Sequence, residues 1–204
     1  MPKLPRTKLE RLVEEVIYPF YQVERATPLH FAPGRHENDA EHSWSLALFA
    51  CALSPHVDRT LDMGKICQFS VVHDLVEVYA GDTSNLASEA EKSTKEVREQ
   101  EALQRLQQEC KTFPWITETI VEYEAQNTAE ARFVKSVDKL LSLLFDIIDK
   151  GLCYKENKVS REAWQSLLQK HRAKAASHAG VFEYYDEVWN YLLDNPQFFH
   201  QEQK

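Results

Sequence analysis

The sequence predicts an all-α protein. Glycine is scarce, at 5 in 204 residues, against roughly 7% in average proteins, and a β-rich fold needs more of it in its turns. Residues 82–113 and 115–150 contain neither proline nor glycine, so long stretches are free to be helical. Apolar residues also recur at helical spacing along most of the chain.

Leu9, Leu12, Val13, Val16, Ile17 and Phe20 predict a first helix over residues 6–24. A loop containing proline and histidine follows from Ala26 to Glu37. Asn38-Asp39-Ala40-Glu41 has the form of a capping box and opens a helix to about Leu53. Residues 61–80, nearly apolar all round, read as the buried central helix. Residues 88–110 read as a charged, exposed helix and 115–125 as a short one. Asn127-Thr128-Ala129-Glu130 is a second capping box, starting a helix to about Lys150. Helices over 160–177 and 181–193 complete the bundle. The length fits one domain over 1–204, with a core at about 25–145 and the helices of 160–193 packed on it.

Charge and composition narrow the class. Lys+Arg number 24 against 32 Asp+Glu, a formal charge of −8, which disfavours binding to nucleic-acid polymers or anionic membranes. The basic first twelve residues precede no continuous apolar run, so no signal peptide is expected. The most apolar run, Leu140–Ile148, is broken by Asp146 and falls far below the roughly 18 residues of a membrane span. Cys51, Cys67, Cys110 and Cys153 form no C-x-x-C pair. A soluble, reduced, cytoplasmic protein is expected.

Several polar residues fall where a core would be. Ile66, Phe69, His73, Val76 and Ala80 share one helical stripe, so His73 faces inward, with Asp74 beside it and Glu77 one turn on. A core histidine hydrogen-bonded to a neighbouring acid satisfies the same pattern. Asp138 lies within the stripe Val134, Val137, Leu141, Leu144 and Ile148. An inward aspartate needs a cation, a metal or several donors, and a salt bridge to a lysine or arginine would suffice. His42 stands in the first turn after its capping box, where a capping or surface histidine is the plain alternative. Together, His42, His73, Asp74 and Asp138 place two imidazoles and two carboxylates on three helices. That donor set suits a divalent transition metal and leaves positions for water and a substrate oxygen.

The order H…HD…D resembles the HD superfamily of metal-dependent phosphohydrolases. The surrounding residues are similar to its YfbR-like 5′-deoxynucleotidase branch over about 25–145. They are Arg35-His36-Glu37-Asn38 leading to Glu41-His42-Ser43, then His73-Asp74-Leu75-Val76-Glu77 with Gly81-Asp82, then Phe133-Val134-Lys135-Ser136-Val137-Asp138-Lys139. The resemblance implies an HD-domain helical bundle with its metal site between helices. It assigns His42, His73, Asp74 and Asp138 to a divalent cation (Mn, Co, Mg, Zn, Ni or Fe), and Glu77 and Asp82 to the water and leaving-group protons. Arg25 or Arg35 would anchor phosphate through the guanidinium fork. The family is often dimeric, which makes a second copy of the chain a candidate partner.

The function so implied is hydrolysis of (deoxy)nucleoside 5′-monophosphates, with a small-molecule nucleotide as the substrate. Two rivals stand beside it: an HD hydrolase of a cyclic nucleotide or nucleoside triphosphate, and a non-catalytic HD binding or regulatory module. Bacterial members of the branch often carry Arg-Trp-Pro-Leu before the first histidine. Here the stretch reads Arg25-Ala26-Thr27-Pro28-Leu29, without the aromatic, which leaves the choice between deoxy- and ribonucleotides open.

Overall fold

The computed structural model describes residues 3–201; the first two residues of the basic N-terminal stretch and the last three of the chain lie outside it. The chain opens with α1 (Arg6–Leu12), a π turn (Val13–Ile17) and α2 (Tyr18–Phe20). The helix expected over 6–24 therefore ends early. Beyond it the backbone extends into β1 (Glu24–Pro28), antiparallel to β2 (His36–Asn38). Much of the expected loop from Ala26 to Glu37 is thus a small hairpin. Its entry is tied down where the Asp39 N–H donates to the Val23 carbonyl at 3.0 Å.

The next helix is α3 (Asp39–Val57). Both halves of its capping box form: Asn38 Oδ1 accepts from the Glu41 N–H at 2.9 Å, and the Glu41 carboxylate accepts from the Asn38 N–H at 3.1 Å. It runs beyond Leu53 and carries Pro55 in its last turn. The single helix expected over 61–80 is two, α4 (Met63–Val72) and α5 (Glu77–Ala80), separated at His73–Val76. There the N–H groups of Leu75, Glu77, Val78 and Tyr79 donate to carbonyls three residues back, at 2.8–3.3 Å. This tight turn replaces the α-helical ladder and re-aims the side chains that follow. Gly81 ends α5 at φ +72, a conformation that suits glycine.

The rest of the chain is α6 (Glu89–Glu109), α7 (Pro114–Glu124), α8 (Ala129–Ile148), α9 (Leu152–Glu156), α10 (Arg161–Leu167), α11 (Gln169–Ala175), α12 (Ala179–Asp194) and a 3₁₀ turn, Pro196–Phe198. Two local expectations change. Thr128 caps α8 by accepting from the Ala131 N–H, so Asn127 is not the cap. Glu130 instead accepts from the Asp62 N–H. The helix expected over 160–177 breaks at Leu168. Gly151 holds φ +67, and a Cβ there would collide with the Phe198 backbone; only glycine fits this corner.

The main core lies where α3, α4, α8 and α12 meet, around Leu46, Phe69, Phe133, Val137, Leu143, Trp164, Tyr185 and Trp189. Ile148, at the end of the α8 stripe, is exposed instead. A smaller cluster, including Val16, Phe20, Val72, Leu75 and Leu106, seals α1–α2 against α4, α5 and α6. No helix among the described residues is long and apolar enough to cross a membrane.

Candidate metal centre and its pocket

Three elements aim histidines and acids at one buried point. The capping box fixes the start of α3 and sends His42 inward. His73 is the first residue past α4, and Asp138 comes from the middle of α8. All three are at most 4% exposed. One donor atom from each lies within 4.8 Å of the others, and the two imidazole centroids are 5.4 Å apart. Asp74, Asp39 and Glu77 make a second group of the same tightness beside it. Asp74 joins the two groups, with Oδ2 2.9 Å from His73 Nε2.

The hydrogen bonds favour a cation. His73 Nδ1 lies 2.9 Å from the Ser70 carbonyl, which can only accept, so Nδ1 carries a proton and Nε2 is the ring nitrogen left facing the cluster. Nε2 faces Asp74 Oδ2 in a geometry that makes no hydrogen bond, and it has no hydrogen-bond partner. A buried ring nitrogen without a hydrogen-bond partner is free to serve a cation as ligand. His42 Nε2 approaches Asp138 Oδ1 at 3.2 Å, while its Nδ1 faces Glu37 Oε2 at 3.2 Å. A carboxylate behind the far ring nitrogen is the usual brace of a metal-binding imidazole. The donor set fits a divalent transition metal.

Electrostatics sharpen the arrangement. Burial alone would raise the Asp138 and Asp74 carboxyls. Lys139 and His42 hold Asp138 well below the ordinary carboxylate range, and His73 and Arg25 do the same for Asp74. Glu77 goes the other way: burial, then repulsion from Asp74, Asp39 and Asp82, push it well up, and Lys95 offsets this only in part. Asp39 rises to about 6 for the same reasons, tempered by Arg25.

A polar pocket opens beside the cluster, with Arg25, Asp74, Glu77, Asp82, Lys95, Lys139 and Lys174 in its wall. Of the residues singled out from the sequence, all but Arg35 gather at the cluster or this pocket. Arg35 is half-exposed and pairs with Glu41 at 2.9 Å. Arg25 is largely enclosed. Its Nη1 donates to Asp39 Oδ1 at 2.9 Å and Asp74 Oδ2 at 2.8 Å, and its Nε lies 3.5 Å from Glu37 Oε2. Sequence reasoning missed Glu37, Asp39, Lys95, Lys139 and Lys174. Lys139 had a signal, since it adjoins an inward aspartate; Lys95 and Lys174 had none.

This fold and cluster define the class. The HD domain family pattern matches residues 21–179, and the chain belongs to that family. Within it, the similarity runs to the 5′-deoxynucleotidase branch. The human 5′-deoxynucleotidase HDDC2 is 30% identical over 115 residues, 54% of this chain and 53% of that protein. The Xenopus laevis counterpart is 35% identical over 112 residues, 53% of each. This chain thus spans about half the length of these two relatives. The 5′-deoxynucleotidase hdd1 of Schizosaccharomyces pombe is 24% identical over 164 residues, 75% of this chain and 78% of that one. Among solved structures, a predicted metal-dependent phosphohydrolase from Magnetospirillum magnetotacticum MS-1 aligns at TM-score 0.76 and 27% identity, over 95% of this chain and 97% of that one.

Proposed function

We propose that this protein is a metal-dependent phosphomonoesterase acting on (deoxy)nucleoside 5′-monophosphates. The observation that carries the reading is the buried convergence of His42, His73 and Asp138, with Asp74 beside His73 and the unpaired His73 Nε2 turned toward it. The named relatives support the substrate class. His42, His73, Asp74 and Asp138 would hold a divalent cation. When bound, the cation polarises a phosphoryl oxygen and lowers the pKa of a water.

The protein's own groups do the rest. Hydrolysis forms a bond from a water oxygen to phosphorus and breaks the bond from phosphorus to O5′. One proton leaves the water and one must reach O5′. Glu77 and Asp82 share the pocket wall, and Glu77 Oε2 has no hydrogen-bond partner, which supports giving these two carboxyls the exchange of those protons. Phosphoryl transfer otherwise requires positioning and neutralisation of charge, which the pocket's cationic wall supports. Arg25 steadies Asp74 and Asp39 from one side. The test is a panel of deoxy- and ribonucleoside 5′-monophosphates, cyclic nucleotides and triphosphates with Mn, Co or Mg, read by released phosphate. Release from 5′-monophosphates before the others supports the proposal; release only from cyclic nucleotides or triphosphates replaces it.

A further inference from the structure

We infer that Lys95, Lys139 and Lys174 form the subsite that receives the substrate's phosphate, while Arg25 belongs to the protein's internal carboxylate network. The inference rests on the phosphohydrolase reading above and names the groups that would bind its substrate's anionic end. The ligand class is a dianionic phosphate, either a phosphomonoester or inorganic phosphate.

The three lysines come from three helices, α6, α8 and α11, and line the same pocket wall as Asp74, Glu77 and Asp82. They recur, joined by Lys135, in the adjoining recess over His73 and Asp138. A chain of net charge −8 thus collects lysines from separate elements on one face of its acidic cluster. Like charges brought together are a cost to folding unless counter-charge answers them.

Direct ion pairs reach two of the three lysines. Lys95 Nζ lies 3.2 Å from Glu99 and 3.6 Å from Glu77. Lys139 Nζ lies 2.6 Å from Asp138 Oδ2, a carboxylate whose charge would be shared with a cation in the loaded protein. Lys135 sits over the Tyr123 ring at 5.3 Å. Lys174 has no ion-pair partner among the described residues. Its ammonium is pushed down to about 8, first by desolvation in the pocket and then by Lys139, Lys135 and Lys95. An anion entering the pocket supplies what is missing. Ammonium groups suit the task because they meet phosphate as movable point charges.

Arg25 is placed differently. Its guanidinium already serves Asp39, Asp74 and Glu37, and Asp39 is completely buried. Binding phosphate through Nη1, which holds both Asp39 and Asp74, would strip a buried carboxylate of its partner. Arg25 is therefore the brace of the acidic cluster, with the lysines across the pocket open to a ligand.

The experiment is calorimetric titration of the metal-loaded full-length protein with inorganic phosphate, with 2′-deoxyadenosine as the uncharged control. Lys95→Gln, Lys139→Gln and Lys174→Gln should each weaken phosphate by about tenfold, the loss of one charge-assisted bond. Deoxyadenosine binding should stay unchanged. Lys174→Gln should also keep full metal content and melt no lower than wild type, because it relieves repulsion. Lys170→Gln, on the same helix but outside the pocket wall, should leave phosphate affinity unchanged. Phosphate affinity within twofold of wild type in all three pocket variants overturns the inference, as does failure of the loaded wild type to bind phosphate. The two readings fail separately. Phosphate binding through these lysines without nucleotide hydrolysis sinks the nucleotidase reading alone, and hydrolysis with wild-type KM in the lysine variants sinks the subsite alone.

Discussion

Asp138→Asn tests the metal centre with the least structural damage. The amide has nearly the carboxylate's size, so no cavity opens, but one negative charge disappears between Lys139 Nζ at 2.6 Å and His42 Nε2 at 3.2 Å. A hydrogen bond to a charged group contributes about 1.5–3 kcal/mol. For a domain of this size each kcal/mol moves Tm by about 2–4 °C, so the metal-free variant should melt roughly 3–12 °C below wild type and remain helical. The metal response is more diagnostic. At a cation concentration of about 100 Kd, binding to the folded state alone stabilises wild type by about 2.7 kcal/mol. Losing a ligand weakens binding enough to erase most of that gain. The assay is thermal unfolding of stripped wild type and variant, with and without Mn²⁺. Wild type should gain several degrees with metal and the variant almost none. An equal gain in both would refute Asp138 as a ligand.

Glu77→Gln should keep metal content and substrate binding while turnover falls by roughly 10² or more, measured as kcat for phosphate release; an unchanged kcat would return Glu77 to a structural role. His171 is buried, 2.9 Å from the Tyr185 hydroxyl, and burial followed by repulsion from Lys139 lowers it to about 3 from 6.5. A depressed histidine contributes stability that is full above pH 6.5 and declines as pH falls toward 3. His171→Gln should therefore flatten the loss of Tm between pH 6.5 and 4, and a parallel loss in both proteins would contradict this. Gly151→Ala combines a left-handed backbone with a collision at Phe198 and should cost about 3 kcal/mol or more, read by denaturant unfolding.

The parts of the site legible in the sequence are those fixed by local chemistry or by a simple period. The α3 start followed from Asn38 and Glu41 because a capping box is satisfied within four residues. Asp138 and His73 announced their burial by falling inside apolar stripes. The break after His73 left no such trace, since Ile66, Phe69, His73, Val76 and Ala80 space equally well on a continuous helix and on one tightened by a turn. The hairpin of β1 and β2 was hidden by its short strands. Arg35 is near His42 in sequence, yet Glu41, the capping-box partner of Asn38, holds it at the surface. Lys95 sits in a run of charge that reads as a solvated helix face, and only the packing of α6 on α5 and of α11 on α8 shows where it and Lys174 end up.

A titration of Mn²⁺ into metal-stripped protein, following bound metal and phosphate release from 2′-deoxyadenosine 5′-monophosphate together, tests the metal-dependent hydrolysis most directly. Activity should be absent without metal, rise in step with occupancy of the His42, His73, Asp74 and Asp138 site, and level off when that site is full. Activity that survives stripping, or a filled site that releases phosphate from no nucleoside monophosphate, would contradict it.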